Sequence, residues 1–374
     1  MTKKKLLITS DAFLPHWDGV ARFLSEIIPR IKEDFDITVI APKFEGNKPE
    51  IEGVKIIQMP LLKIQFADTY FSRFQFKRIK RIVARHDIVF CQTIGTIGIA
   101  AIRAARKLRK PIISYMHIIE WELAPKSLKR FRWISRIFTR WLAKKLYNKC
   151  KLMLVPSTEV ADELSMIGVK TMKSVVHLGT DTHKFMPPAD KAAAKNKLGI
   201  DPKNIVIGYC GRISREKDLV TLYRAFTQLR KDNSDIILMI VGSGITEHSV
   251  LFKDKRGVIM PGSVNDVVPY LQAMDIFVLP SLIETTSLAT MEAMSCGLPV
   301  LSTRVGLAKE YIKHKTNGMF FPKRNIYILR KKIEQLINDK ELRLRLGKNA
   351  RKTIEEKFSW ERTVKEIKRV LGAF

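Results

Sequence analysis

The chain has 374 residues, 46 % of them hydrophobic, which is more than one ordinary core needs and suits two globular domains. Its formal net charge of +30 points to a polyanionic partner, nucleic acid or an anionic membrane, unless it only reflects a lysine-rich proteome. Cys91, Cys150, Cys210 and Cys296 are scattered singly, which excludes a disulfide framework and zinc-ligand spacing and points to a reducing, cytoplasmic compartment. No run reaches the roughly 20 apolar residues that span a bilayer.

The N-terminal "MTKKKLLITS" is basic, but its apolar run ends at a polar turn too early for a signal peptide, so it reads as a first strand. "DITVIAP", "VKIIQMP", "DIVFCQT", "PIISYMH", "LMLVPS" and "SVVHLG" follow as strands of the first half. The second half offers "IVIGYCG", "IILMIVG", "GVIMPG", "IFVLPS", "PVLST" and "GMFFP", and after Pro322 the pattern is helical to the end. Strands alternating with helical patterns predict an α/β chain of two doubly wound, Rossmann-like domains. The polar, Pro-Pro-containing stretch near 182–203 marks the linker, giving domains at 1–185 and 186–357 and a closing helix at 358–374. Two such domains facing one another would form a cleft lined by the carboxyl ends of both sheets.

Candidate chemistry gathers at strand ends. In "GYCGRISREKDLVTLYRAF" the strand ends at Gly211, Arg212 follows, and Lys217 opens an amphipathic helix. Two cations beside a helix N-terminus make an anion site fit for a diphosphate, or are two solvated side chains of a very basic protein. Gly19, ahead of a helix in "SDAFLPHWDGVARFLSEII", permits close approach of a ligand to the backbone. His117 lies just past the strand in "PIISYMHIIEW", a position that is more often structural than catalytic. In "SLIETTSLATMEAMSCGLPV", Glu284 sits in a loop after a strand and Glu292 about two turns into the next helix. Thr285, Thr286 and Ser287 between them are small enough for backbone amides, with that of Leu288, to meet a ligand. Carboxylates so placed suit two ends of one ligand, sugar hydroxyls at one and ribose hydroxyls at the other, better than one metal.

These residues resemble glycosyltransferase family 4. The likeness rests on "GRISREK", on Glu284 and Glu292 with "EAMSCGLPV", on "GLAKEYI" and "NGMFF", and on "PHWDGVARFLSEI", "VVHLGTDTHKFMP" and "FSWERTVKEIKRVL". The resemblance implies the GT-B fold and retaining transfer from a UDP- or GDP-sugar without a metal, the sugar being a hexose. It implies that Arg212 and Lys217 hold the donor diphosphate, Glu284 the donor sugar and Glu292 the ribose. Gly19, Ser287 and Leu288 would line the donor, and His117 would stand near the reacting carbon. The sequence departs from the family pattern at Val20, Asp218, Thr285 to Ser287 and His177-Leu178, which leaves the donor's identity open. "DFD" at Asp34–Asp36 looks like a metal motif but sits where the family has a polar turn.

The charge is concentrated in the first half. "KSLKRFRWISRIFTRWLAKKLYNKCK" contains no acid; Lys129, Arg132, Arg136, Arg140 and Lys144 form one helical stripe, and Phe131, Ile134, Ile137, Phe138, Trp141 and Leu142 the opposite face. "TYFSRFQFKRIKRIVARH" mixes Tyr70, Phe71, Phe74 and Phe76 with five cations. Both read as amphipathic helices lying on an anionic membrane, or as helices whose apolar faces pack on the sheet. With the family's acceptor side in this half, they favour a membrane lipid acceptor and peripheral attachment to the cytoplasmic face. A soluble saccharide or sugar-phosphate acceptor is the alternative, and nucleic-acid binding is set aside for want of a recognition module.

Overall fold

Runs of Val, Ile and Leu bounded by turn residues become parallel strands because both faces of such a strand are covered by helices. A computed structural model describes residues 3–374 except 17, 67, 68, 118, 124–131, 245–251, 253, 254 and 285. The chain divides into two units, Met1–His177 with Thr363–Phe374, and Leu178–Arg362.

The first unit holds β1 (Lys4–Thr9), β2 (Phe35–Pro42), β3 (Lys55–Met59), β4 (Leu61–Phe66), β5 (Thr69–Ser72), β6 (Ile88–Cys91), β7 (Ile112–Tyr115), β8 (Leu152–Val155) and β9 (Lys173–Val175). Seven of these form a parallel sheet in the order β3-β2-β1-β6-β7-β8-β9, and β4 and β5 pair as an antiparallel hairpin. In the second unit β10 (Ile205–Cys210), β11 (Ile236–Val241), β12 (Val258–Gly262), β13 (Ile276–Leu279), β14 (Val300–Ser302) and β15 (Met319–Phe320) form a sheet in the order β12-β11-β10-β13-β14-β15. Each sheet therefore reverses direction once, at β1/β6 and at β10/β13, and ligands of such sheets bind beyond the strand ends at that reversal. Asp11 and Gln92 follow the first pair of strands; Arg212 and Glu284 follow the second.

Helix Gly19–Ile31 shows how the covering works. Asp18 accepts from the Ala21 backbone N–H at 2.7 Å and caps it, while Phe23, Leu24, Ile27, Ile28 and Ile31 are buried. The closing helix, Trp360–Gly372, belongs to the first unit from Thr363 onward. Lys368 pairs with Asp34 at 2.6 Å and Lys4 donates to the Gly372 carbonyl at 2.8 Å, so Asp34 of the "DFD" run is an ion-pair partner. The four cysteines are buried free thiols.

Two elements differ from their sequence pattern. Tyr70 and Phe71 lie in β5, and the helix of the second basic stretch begins only at Phe76. The Thr-Tyr-Phe run has the β-branched and aromatic character of a strand, and pairing with β4 realises it. Lys217 does not open a helix: it ends a short 3₁₀ turn, Arg215–Lys217, and the α-helix starts at Leu219. Asp218 between them has φ +48°, the left-handed region, which explains why glycine suits that place and aspartate, a residue that tolerates it, stands here. Its carboxylate accepts from Thr221 Oγ1 at 2.7 Å.

Candidate active site

In the second unit the loops after β10 and β13 bring the predicted donor-binding residues together. Lys217 Nζ lies 2.5 Å from Glu284 Oε1, with side chains only 17 % and 10 % exposed. Ser281 Oγ donates to the same oxygen at 2.9 Å. The Leu282 backbone N–H donates to the Glu216 carbonyl at 2.7 Å, tying the two loops directly. Arg212 is more open, 59 % exposed, and its Nη2 meets Glu216 Oε1 at 3.0 Å. Both cations thus stand within reach of acids, and a bound anion competes with Glu284 and Glu216 for them. Such an arrangement keeps the site near neutral when empty and offers two charge-assisted donors when an anion arrives.

Glycine keeps the backbone thin at these strand ends. A Cβ on Gly242, where φ is +130°, would stand 2.1 Å from the Gly211 carbonyl oxygen. One on Gly244 would stand 1.8 Å from that of Ile213. Close approach of the loop after β11 to the loop after β10 therefore requires both glycines.

Glu292 lies in the second turn of helix Leu288–Ser295, one turn nearer its start than the sequence suggested, and is 2 % exposed. With Glu284 also nearly covered, neither acid is a solvated surface group. Ser287 shares a 2.7 Å hydrogen bond with Thr290 Oγ1 where the helix begins at Leu288. Thr286 Oγ1 is buried without a hydrogen-bond partner among the described residues, and Thr285 lies outside them.

The first unit carries a separate cavity of about 410 Å³ at the β1/β6 reversal, lined by polar Asp11, Gln92, His117 and Glu120 and by apolar Phe44 and Phe138 among others. Asp11 was not foreseen. It accepts from the backbone N–H groups of Ile97 (2.8 Å) and Gly98 (3.2 Å) and from the hydroxyls of Thr93 (2.9 Å) and Thr96 (3.2 Å). The carboxylate thus caps helix Thr96–Lys107, and burial raises its pKa against those hydrogen bonds. Nothing in "SDAF" signals this, because the partners are about 80 residues away. Glu120 accepts from the Tyr147 hydroxyl at 2.5 Å, and burial pushes its carboxyl up to about 7.

His117 packs against Tyr115 and Phe23, ring centroids 4.5 and 4.6 Å away, and its Nε2 meets Gln92 Oε1 at 2.9 Å. Burial brings its pKa down to about 3, so the ring is a neutral Nε2–H donor to Gln92 with Nδ1 left as an acceptor. Its NMR signals should therefore show no titration between about pH 5 and 8; an inflection near 6.5, the ordinary value, would place the ring in water. Around Gly19 a Cβ would meet nothing within 4 Å, so open space rather than crowding surrounds it, and Gly19→Ala should fold normally.

The basic helix runs Arg132–Tyr147; Lys129 and Phe131 lie outside the described residues. Arg132, Arg136, Arg140 and Lys144 are exposed as expected. The opposite face is exposed too, with Ile137 59 %, Phe138 56 % and Trp141 52 % open, and Trp133, which falls among the cations, is 67 % open. Burial falls instead on Ala143, Leu146 and Tyr147, continued by half-buried Ser135, Thr139 and Leu142. Of this face only Leu142 packs against the core among the described residues; the helix seats itself through Ala143, Leu146 and Tyr147. Lys145 stands over the Trp141 ring at 4.6 Å. Among the described residues no helix is long and apolar enough to cross a membrane.

Two family models match the chain: Glycosyltransferase Family 4 over residues 17–184 and Glycosyl transferases group 1 over residues 190–353. An α-monoglucosyldiacylglycerol synthase of Streptococcus pneumoniae is 25 % identical over 326 residues, 83 % of this chain and 74 % of that protein. The Escherichia coli UDP-Gal:α-D-GlcNAc-diphosphoundecaprenol α-1,3-galactosyltransferase is 28 % identical, covering 98 % of this chain and 97 % of its own. The crystal structure of Anabaena HepE in complex with UDP superposes with a TM-score of 0.80 at 17 % identity, over 99 % of this chain and 100 % of that one. Doubly wound topology in both units and the two matches that together span most of the length agree: the chain belongs to glycosyltransferase family 4 and is a retaining, nucleotide-sugar-dependent glycosyltransferase of GT-B fold.

Proposed function

We propose that the chain transfers a hexose from a UDP- or GDP-sugar to a lipid acceptor while resting on an anionic membrane surface, from the cytoplasmic side. The observation that carries this reading is helix Arg132–Tyr147, whose aromatic ridge is open between flanking arginines. Monomeric proteins seldom leave such a ridge to water, and Trp with Arg is the composition that an interface selects. Phe138 and Leu142 of that helix also wall the cavity that holds His117, so an apolar chain on the ridge leads to a polar pocket. The relatives named for a glucosyldiacylglycerol product and for a diphosphoundecaprenol-linked acceptor support the same choice.

In this reading Arg212 and Lys217 hold the donor diphosphate and stabilise its charge as the bond from the anomeric carbon to the phosphate oxygen breaks. The acceptor oxygen bonds to that carbon on the same face, and its proton passes to the departing phosphate oxygen. Gly19 and the amides of Ser287 and Leu288 border the donor. Glu284 binds sugar hydroxyls and does not attack; its Oε1 already accepts from Lys217 and Ser281. Glu292 binds the ribose, and His117 stands near the reacting carbon. Guanidinium and ammonium meet the leaving charge, so activity should survive EDTA.

A panel of UDP- and GDP-sugars, assayed for nucleoside diphosphate release with and without extracted lipid, tests the whole reading. Release stimulated by lipid, with sugar recovered in the lipid phase, is expected; stimulation by soluble sugars alone overturns the lipid acceptor. The acids should separate in calorimetry with nucleoside diphosphate alone. Glu292→Gln should weaken binding about 10- to 100-fold, the worth of a charge-assisted hydrogen bond. Glu284→Gln should bind at least as tightly as the unaltered protein, because it releases Lys217, and yet transfer poorly. Equal losses in both would remove the division of roles.

A further inference from the structure

The second basic stretch contributes Phe74 and Phe76 to another hollow of the first unit, about 550 Å³, walled otherwise by Arg103, Arg106, Lys107 and Lys149. The two rings lie nearly parallel, 6.4 Å apart, and Phe74 is 52 % exposed. Lys107 Nζ stands over the Phe76 ring at 5.5 Å. Arg106 and Lys107 come from the last turn of helix Thr96–Lys107, Arg103 from the turn before it, and Lys149 from the turn after helix Arg132–Tyr147. Two helix C-termini, with their partial negative charge, make such a gathering tolerable. That explains neither the aromatic floor beside the cations nor their lack of counter-charge. Among the described residues none of the four has an acidic partner within ion-pair distance. Lys149 feels the congestion: burial lowers its pKa, and Arg103, Arg106 and Lys145 lower it further.

We propose that this hollow binds the headgroup of an anionic phospholipid, with the guanidinium groups of Arg103 and Arg106 on the phosphate and the phenyl rings against the glycerol and first methylenes. Its volume is of the size that takes one small ligand. Arginine grips phosphate oxygens through paired N–H donors, and here two arginines stand one turn apart on a single helix face. A free phosphate ion would satisfy the cations but leave Phe74 in water, which is why the lipid is favoured. The inference deepens the membrane-facing reading of this unit and rests on it for the source of the ligand, but the site differs from the ridge of helix Arg132–Tyr147.

A short-chain lipid dissolved below its micelle concentration tests the hollow without a membrane. Dihexanoyl phosphatidic acid should titrate the full-length protein to a single saturable site by calorimetry. Arg103→Gln with Arg106→Gln should weaken it at least about 10-fold, two charge-assisted contacts being lost. Phe74→Ala should weaken the lipid several-fold without affecting inorganic phosphate. All three positions are exposed or line open space, so the variants should melt like the parent. Inorganic phosphate binding as tightly as the lipid, or lipid binding indifferent to both variants, overturns the proposal. If these variants keep vesicle binding while charge reversal on helix Arg132–Tyr147 abolishes it, this site falls and the proposed function stands. If the short-chain lipid binds as expected while the ridge variants sediment with vesicles unchanged, the site stands and the ridge reading falls.

Discussion

Lys217→Ala should lower turnover with the nucleotide sugar by roughly 100- to 1,000-fold, the usual effect of removing one donor aimed at developing transition-state charge. The structure makes this the more severe of the two cation variants. Lys217 is 17 % exposed and neutralises Glu284 at 2.5 Å, so its removal both deletes a cation and leaves a nearly covered carboxylate facing the incoming diphosphate. Arg212 is 59 % exposed and its partner Glu216 retains access to water, so Arg212→Ala should cost about 10- to 100-fold. The paired variant Lys217→Ala with Glu284→Ala should bind nucleoside diphosphate more tightly than Lys217→Ala alone. That non-additivity is what direct contact predicts. Steady-state kinetics and diphosphate titrations on the unaltered protein, the single variants Lys217→Ala, Arg212→Ala and Glu284→Ala, and the pair check it. Near-normal turnover in both single cation variants would remove the diphosphate from this site, and strict additivity would show that the Lys217–Glu284 contact is absent in solution.

The parts of this site that could be read in the sequence are those created by local order along the chain. A strand followed by a loop and a helix places Arg212, Glu284 and His117 at strand ends whatever the tertiary detail, and short apolar runs disclosed the parallel sheets. What could not be read depended on partners far away. Asp11 looks like any polar turn residue until helix Thr96–Lys107 arrives to be capped. The ion pair between Lys217 and Glu284 spans 67 residues and turns two separately predicted groups into one unit. Asp218 shows a different limit: its left-handed backbone is a property of the turn, and aspartate hides it where glycine would announce it. The helix Arg132–Tyr147 shows a third. Its stripes follow from 100° periodicity, yet periodicity does not say which stripe the core takes, and the core took Ala143, Leu146 and Tyr147 instead.

That choice sets the terms of a second large effect. Reversing Arg132, Arg136, Arg140 and Lys144 to glutamate should abolish sedimentation with anionic vesicles. Each cation near such a surface contributes about 1 kcal/mol, so four together are worth on the order of 1,000-fold in partitioning, diminishing as salt shortens the screening length. The helix should stay folded, because Ala143, Leu146 and Tyr147 hold it in place and the four charges are exposed. Arg136 meets Glu122 at 3.8 Å, and that contact is too long and open to matter much. A companion variant keeps the charges and removes the ridge, with Trp133 and Trp141 changed to serine. It should still sediment with anionic vesicles at low salt but release at moderate salt, since insertion of the rings no longer supplements the charge. Transfer to a lipid acceptor should fall in both, while slow hydrolysis of the donor, which needs no lipid, should persist. Unchanged sedimentation after reversal, or equally strong binding to neutral vesicles in high salt, would mean that the open ridge meets something other than a bilayer; a soluble acceptor would then become the leading assignment.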